Sequence, residues 1–447
     1  MSRVLGMRII AVFLCLLPTL ALAQNCAACP NRQAESAPCH WLEVTSVVPD
    51  GPADKAGIMP GDALASYDGK PMGCRNELST AQAAVQVDSV VAGFRRGNRL
   101  LNFVLPRGKL GIFFKEWAND IAPDPDAKMI SGVPNLSWNQ MNSFMGALEA
   151  VGHKLDDHVG YSFLCGVSGA AFRTQFFDTW CPSSPDATVG FDAGAAALKA
   201  RGLDATWLHV SSDGKNKPQI LAAIRKSIDE GIPVLAIDLI ETAEWGIIIG
   251  YQKNGEELLV RTYFDTRKAF DVAQKFPFAV AILKRDGKVP DLDASIKQGF
   301  GIVTENLAAT KYGEYYSGLA AFDKWMARLR DDDFTKLDSA KLSNVVQANY
   351  WTFQRLIADR KTGIEYLSHV AGRMPGLEPS TSTISELYQK EVEALEPLLE
   401  QMPCPGSVVP GWQWAKEDRD TEIAALVKAR ALEEQALPVW RELAARK

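Results

Sequence analysis

Histidine is scarce in this chain. Only His40, His153, His158, His209 and His369 occur in 447 residues. None falls in an HExxH pattern, and the one CxxC, Cys26 to Cys29, has no second CxxC to complete a four-ligand set, so no metal site is expected. Gly166-Val167-Ser168-Gly169 is too short for a phosphate loop and reads as a turn, and no cofactor is expected. A basic excess is also missing. The net charge is -6 and the pI near 5.6, which argues against a nucleic-acid partner. After the first two dozen residues no apolar run approaches the roughly 18 to 20 residues of a spanning helix.

What is present begins with an export signal. Arg3 and Arg8 flank the start of IIAVFLCLLPTLALA, and Ala21-Leu22-Ala23 precedes Gln24: charged region, apolar region and small-residue cleavage site in order. Residues 1–23 are expected to be removed, leaving a periplasmic or secreted chain with no membrane span. Seven cysteines remain after Cys15 leaves with the signal, and an oxidising compartment favours disulfides with one thiol unpaired. Spacing does not fix the pairing. Cys165 with Cys181 and Cys39 with Cys74, each within one domain, are the expected bridges. Cys26 and Cys29, in a tail over 24–39 without a strand-helix unit around them, read as a structural bridge or part of a disordered tail rather than a redox motif.

From His40 the pattern is VTSVVPDGPADKAGIMPGDALASYDGKPM: a strand at Val44, a short helix from Pro52 stopped by Gly57, and turns at Gly61-Asp62 and Asp68-Gly69 around another strand. This stretch closely resembles a PDZ domain, which we place at 40–117. The resemblance implies a groove for the carboxyl ends of peptides or proteins. Leu78, Ala81, Gln82 and Val85 would line its helix. The carboxylate loop usual before the first of these strands is not there, but Leu110-Gly111-Ile112 supplies an apolar-Gly-apolar turn at the other end, as in a circularly permuted PDZ domain. The alternative is that Leu110 and Ile112 fill the core and the groove is closed or occupied by Phe113 and Phe114.

A proline-punctuated connector, 118–134, leads to a second domain at 135–297. There a helix from Pro218 to Gly231 feeds apolar β-branched runs at Ile232–Ile240, Trp245–Tyr251 and Leu258–Tyr263, with an Asn254-Gly255 turn. A second helix is expected over Trp138–Val151. Together with SWNQMNSFMGALEAVG and CGVSGAAFRTQF, this order resembles papain-like domains of the bacteriocin-peptidase type, and most nearly the amino-terminal domain of butirosin biosynthesis protein H. The resemblance implies a thiol at the first turn of the early helix and a histidine opening the strand that ends in Gly-Tyr. Here the helix offers Asn139, Gln140, Asn142 and Ser143, and the strand opens with Glu244-Trp245-Gly246; Asp265 stands at the third position. The cysteine and histidine are both missing. Candidates for chemistry are therefore Ser143, Cys165 and Asp265, and the cleft candidates are Asn139, Arg173, Glu244, Trp245 and Arg261. Arg173 and Arg261 suit a carboxylate clamp and Trp245 a stacking face, unless Arg261 pairs with a strand neighbour.

Residues 298–447 turn helical, with expected helices over Lys311–Arg330, Leu342–Met374, Ile384–Met402 and Asp418–Ala445. The fold class expected is multidomain α+β: a β-barrel-like PDZ domain, a papain-like α+β domain and an α-helical bundle. Two functions compete, an exported non-catalytic peptide-binding protein and a cysteine-peptidase-like hydrolase or acyltransferase with an unrecognised nucleophile. The missing Cys/His pair favours the first.

Overall fold

The computed structural model describes residues 40–97, 99–108, 110–285 and 288–446. The expected signal peptide, the tail with Cys26 and Cys29, and the Cys39 end of one expected bridge lie outside the described residues.

The first unit contains β1 (His40–Val47), α1 (Pro52–Ala56), β2 (Ala63–Tyr67), β3 (Lys70–Pro71), α2 (Arg75–Ala84), β4 (Ser89–Arg96), β5 (Arg99–Pro106) and β6 (Ile112–Ala118). The sheet order is β5-β4-β2-β1-β6, so the first strand lies inside the sheet, between β2 and β6, and the last lies on an edge. Pro52 opens α1 and Gly57, left-handed at φ 80, closes it by donating to the carbonyls of Ala53 and Asp54. The Gly-Asp pair of the sequence motif has a physical task. Asp62 is buried, takes the Met59 N–H at 2.9 Å, and holds the Arg96 guanidinium through two bonds of 2.7 Å, which ties the α1 turn to β4. Leu42, Val44, Leu64, Tyr67 and Phe94 fill the core behind it.

The second unit is built on a sheet of order β13-β12-β11-β10-β14-β9, with β7 (Lys128–Met129) on β11; its strands are β9 (Leu203–His209), β10 (Val234–Ile237), β11 (Trp245–Gln252), β12 (Glu257–Arg261), β13 (Asp271–Val272) and β14 (Ala279–Arg285). All pairings are antiparallel. β10 and β11 are buried along their whole length, which is why they read as continuous apolar runs rather than alternating ones. Helices α3 (Ser143–Lys154), α4 (Tyr161–Val167), α5 (Ala193–Ala200) and α6 (Lys217–Asp229) surround the sheet, and the short strand β8 (Gln175–Phe177) stands apart. The early helix begins at Ser143, five residues later than its spacing suggested. Trp138 is instead exposed and packs on Tyr263 and Phe264.

The remaining elements are α7 (Leu292–Ala308), the hairpin β15 (Lys311–Tyr312) and β16 (Tyr315–Ser317), α8 (Gly318–Asp331), α9 (Ser339–Arg373), α10 (Glu378–Leu399) and α11 (Lys416–Ala445). The helix expected from Lys311 starts only at Gly318, because β16 pairs with β8 of the second unit through Tyr315–Phe177 and Ser317–Gln175. Residue 298 lies inside α7. One buried cluster runs from β11 and α3 through Phe300 and Val303 of α7 to Tyr388 and Trp440, so the sheet and the helices share a core.

The expected Cys165–Cys181 bridge does not form. Both thiols are free and buried, as Cys74 and Cys404 are also free. Cys165 faces Tyr161 within α4, whereas Cys181 receives the Tyr315 hydroxyl at 3.8 Å, so the two are held by separate elements.

Candidate functional site

Two places carry the residues singled out above. The first is the channel between α2 and β6. β6 pairs with β1 alone, and its other edge faces the start of α2. Ahead of it the chain turns at Gly111, left-handed at φ 69, while the carbonyls of Gly111 and Leu110 accept from Val48 N–H at 2.8 Å and Ala53 N–H at 3.2 Å. That anchors the turn on the β1–α1 connection. A Cβ at Gly111 would stand 3.3 Å from Val48 Cβ, so both conformation and space ask for glycine. Of the groove candidates, Leu78, Ala81, Val85 and Leu110 are 4 to 6% exposed and belong to the core; Gln82 and Ile112 are half-buried. Phe113 is 60% exposed and Phe114 stacks on Phe94. The apolar residues between α2 and β6 are thus mostly buried.

Residues 43–101 match the family model of the PDZ domain. This stretch is a PDZ domain. The match covers the strands from β1 through the start of β5 together with α2, and ends before the Gly111 turn and β6. No curated protein matches the chain.

The second place is the amino-terminal end of α3. Asn142 caps the helix by accepting Met145 N–H at 3.2 Å, and its own N–H donates to the Tyr161 hydroxyl at 2.8 Å. The Ser143 hydroxyl accepts Trp245 N–H at 3.2 Å and lies beside the Glu244 carboxyl. Alternation along a strand would point Glu244 away from the site of Trp245, but Glu244 precedes β11 and is free of that constraint. Burial raises its pKa, against the neighbouring Ser143 hydroxyl, which lowers it. Trp245 is buried, edge-on to Phe144 and Trp207, with its indole N–H on Asp186 Oδ2 at 2.9 Å; no face remains for stacking on a ligand.

The other candidates are spent on structure. Arg173 donates to the carbonyls of Pro185, Asp186, Val189 and Phe191 at 2.6 to 3.2 Å, fastening that loop rather than clamping a carboxylate, and burial lowers its pKa to about 10. Arg261 donates to the Val133 carbonyl at 3.3 Å and lies 3.9 Å from Asp265. Asp265 accepts from Thr262 N–H at 2.7 Å, from the Thr262 hydroxyl at 3.0 Å and from Asn135 at 3.3 Å; burial raises its pKa to about 6. None of those bonds reaches Ser143 or Glu244. Cys165 is fully buried, and burial pushes its thiol far above the range of a nucleophile. Asn139 is exposed, ahead of the helix. Among the described residues no group of three or more His, Cys, Asp or Glu is placed to hold a metal ion.

Residues without a motif complete both places. Arg355 and Asp359 of α9 pair at 2.6 Å, and Arg355 donates to the Met141 carbonyl at 2.7 Å, joining the bundle to the start of α3. At the channel they are Arg75 and Glu116. The only sequence signal for the α9 pair is a run of charges interrupting an otherwise apolar helix face.

Proposed function

We propose that this is an exported protein that binds the free carboxyl ends of peptides or proteins through a circularly permuted PDZ domain. The papain-like second domain and the helices packed on it are a non-catalytic support, and export to the periplasm or beyond rests on the amino-terminal Arg3-to-Ala23 pattern. The observation that carries the reading is the edge strand β6, which follows the left-handed Gly111 turn and adjoins the sheet that matches the PDZ family. Such an edge accepts an added strand, and a glycine turn directs backbone N–H groups at a carboxylate. Among the described residues no helix is long and apolar enough to cross a membrane, and the net charge of -6 disfavours nucleic acid.

Gly111→Val tests it. A side chain there strains the turn and meets Val48, so free-carboxylate peptides should lose at least tenfold in affinity, while amidated peptides should bind neither protein. Isothermal titration alongside thermal unfolding separates loss of binding from loss of fold. Unchanged affinity in the variant, or equal binding of amidated peptides, counts against the reading.

The Ser143–Glu244 contact favours a second reading, a hydrolase or acyltransferase in which Glu244 takes the serine proton. Against it, Ser143 is 8% exposed and its oxygen already accepts the Trp245 N–H. We expect no fluorophosphonate adduct on Ser143 and no iodoacetamide adduct on Cys165 in the folded protein, read by peptide mass spectrometry. A stoichiometric Ser143 adduct that abolishes an ester hydrolysis would establish the enzyme.

A further inference from the structure

The free edge of β6 is not uniformly free. In an antiparallel strand the N–H and C=O of one residue point to the same side and alternate residues share that side. Ala118 N–H points away from β1, since it donates to Thr266 O of the second unit at 2.7 Å. Phe114 carbonyl does the same, since it accepts from the Arg75 guanidinium. Ile112, Phe114 and Glu116 therefore carry the backbone groups that a strand added to this edge would use.

Two of these positions are already engaged by the first residue of α2. Arg75 takes the Phe114 carbonyl through its side chain, and in return its own N–H donates to Glu116 Oε2 at 3.1 Å. The second Glu116 oxygen lies 3.3 Å from His40 Nδ1 on β1, which fixes the carboxylate across the sheet. The carboxylate at the start of a ten-residue helix is also favoured by the helix dipole. The two contacts run in opposite directions and stitch the start of α2 to the middle of β6. They coincide with the buried apolar residues Leu78, Ala81, Val85 and Leu110.

We propose that Arg75 and Glu116 form a clasp that holds the peptide groove shut, and that a peptide end binds by displacing the Arg75 guanidinium from the Phe114 carbonyl. This rests on the peptide-binding reading above. The incoming strand must give its own N–H to that carbonyl, so the guanidinium is a competitor built into the domain. The sign of the effect separates a competitor from a contact. Arg75 is an exposed cation beside a groove for anionic chain ends. Were it a ligand contact, its removal would weaken binding; as a clasp, its removal strengthens binding.

The test uses the full chain, with fluorescence anisotropy of a fluorescein-labelled pool of random heptapeptides bearing free carboxyl ends, and the same pool amidated. Arg75→Ala should bind the free-carboxylate pool about tenfold more tightly than the unaltered protein, the factor expected for removing one competing charge-assisted hydrogen bond. Glu116→Ala, which cuts the other stitch, should shift affinity in the same direction. Arg75 is exposed and Glu116 half-buried, and unchanged thermal midpoints would show the fold intact. Equal or weaker binding by Arg75→Ala overturns the clasp and leaves the peptide reading standing. A gain shared by amidated peptides also overturns it, because the gain is then not at the carboxylate groove. Failure of every variant to bind either pool overturns both.

Discussion

Glu422 on α11 is 3% exposed; Asn349 Nδ2 donates to its Oε2 at 3.0 Å, and Oε1 has no partner among the described residues. Asn349 is itself fixed by the Trp325 indole N–H at 2.7 Å, so it cannot turn to serve both oxygens. With no cation beside it among the described residues, burial raises the carboxyl from its ordinary 4.5 to about 8. Between those values the folded protein holds a proton that the unfolded chain has released. Stability therefore falls as pH rises through this window, by about 1.4 kcal/mol per pH unit at most. Asp265, raised to about 6 by burial, acts in the same direction lower in the range. Glu422→Gln keeps the shape of the protonated acid and removes the titration. Its thermal midpoint should match that of the unaltered protein near pH 4.5, exceed it increasingly as pH rises to about 8, and keep a constant margin above that. Parallel pH profiles for the two proteins would contradict this.

At the scale of elements, local patterns were legible where one element decides its own fate. Pro52 and Gly57 bound α1, the Gly61-Asp62 pair marks the turn that Arg96 ties down, and the uninterrupted apolar runs at β10 and β11 mark buried strands. Legibility fails where a distant partner decides. Lys311 to Ser317 carries helical spacing yet forms a hairpin, because β8, more than a hundred residues earlier, offers an edge to Tyr315 and Ser317. Trp138 belongs to the apolar pattern of α3 by spacing, but the Asn142 cap starts the helix after it and leaves the indole to Tyr263 and Phe264. The site residues divide in the same way. Gly111 announces itself through its turn, whereas Arg75 and Glu116 look like solvated charges until α2 and β6 stand side by side. Glu244 stands one residue ahead of β11, so strand alternation does not set the direction of its side chain.

For the molecule as a whole, the decisive contact is made by Arg360 of α9, which is fully buried at the meeting of the sheet unit and the helices. Its Nε donates to Glu433 on α11 at 2.7 Å and approaches Glu391 on α10 at 3.4 Å; Nη1 and Nη2 reach across to the Ala171 carbonyl at 3.0 Å and the Thr174 hydroxyl at 2.9 Å. Tyr388 and Trp440 extend the network, the indole N–H on the phenol at 3.0 Å and the phenol on Glu433 at 3.2 Å. One cation faces two carboxyls, and burial raises the pKa of both. Replacing such a network wholesale with apolar groups can be neutral, but removing one partner strands the others. Arg360→Met should cost about 3 to 5 kcal/mol in urea unfolding. Because the guanidinium holds Ala171 and Thr174 as well as α10 and α11, amides of β11 should lose hydrogen-exchange protection together with those of α11. The PDZ domain meets the second unit through contacts outside this network, among them Ala118 on Thr266 and Lys268 on Glu43, so its amides should keep theirs. Loss confined to α11 would mean that the helices fold independently of the sheet, against the shared core from which this expectation is drawn.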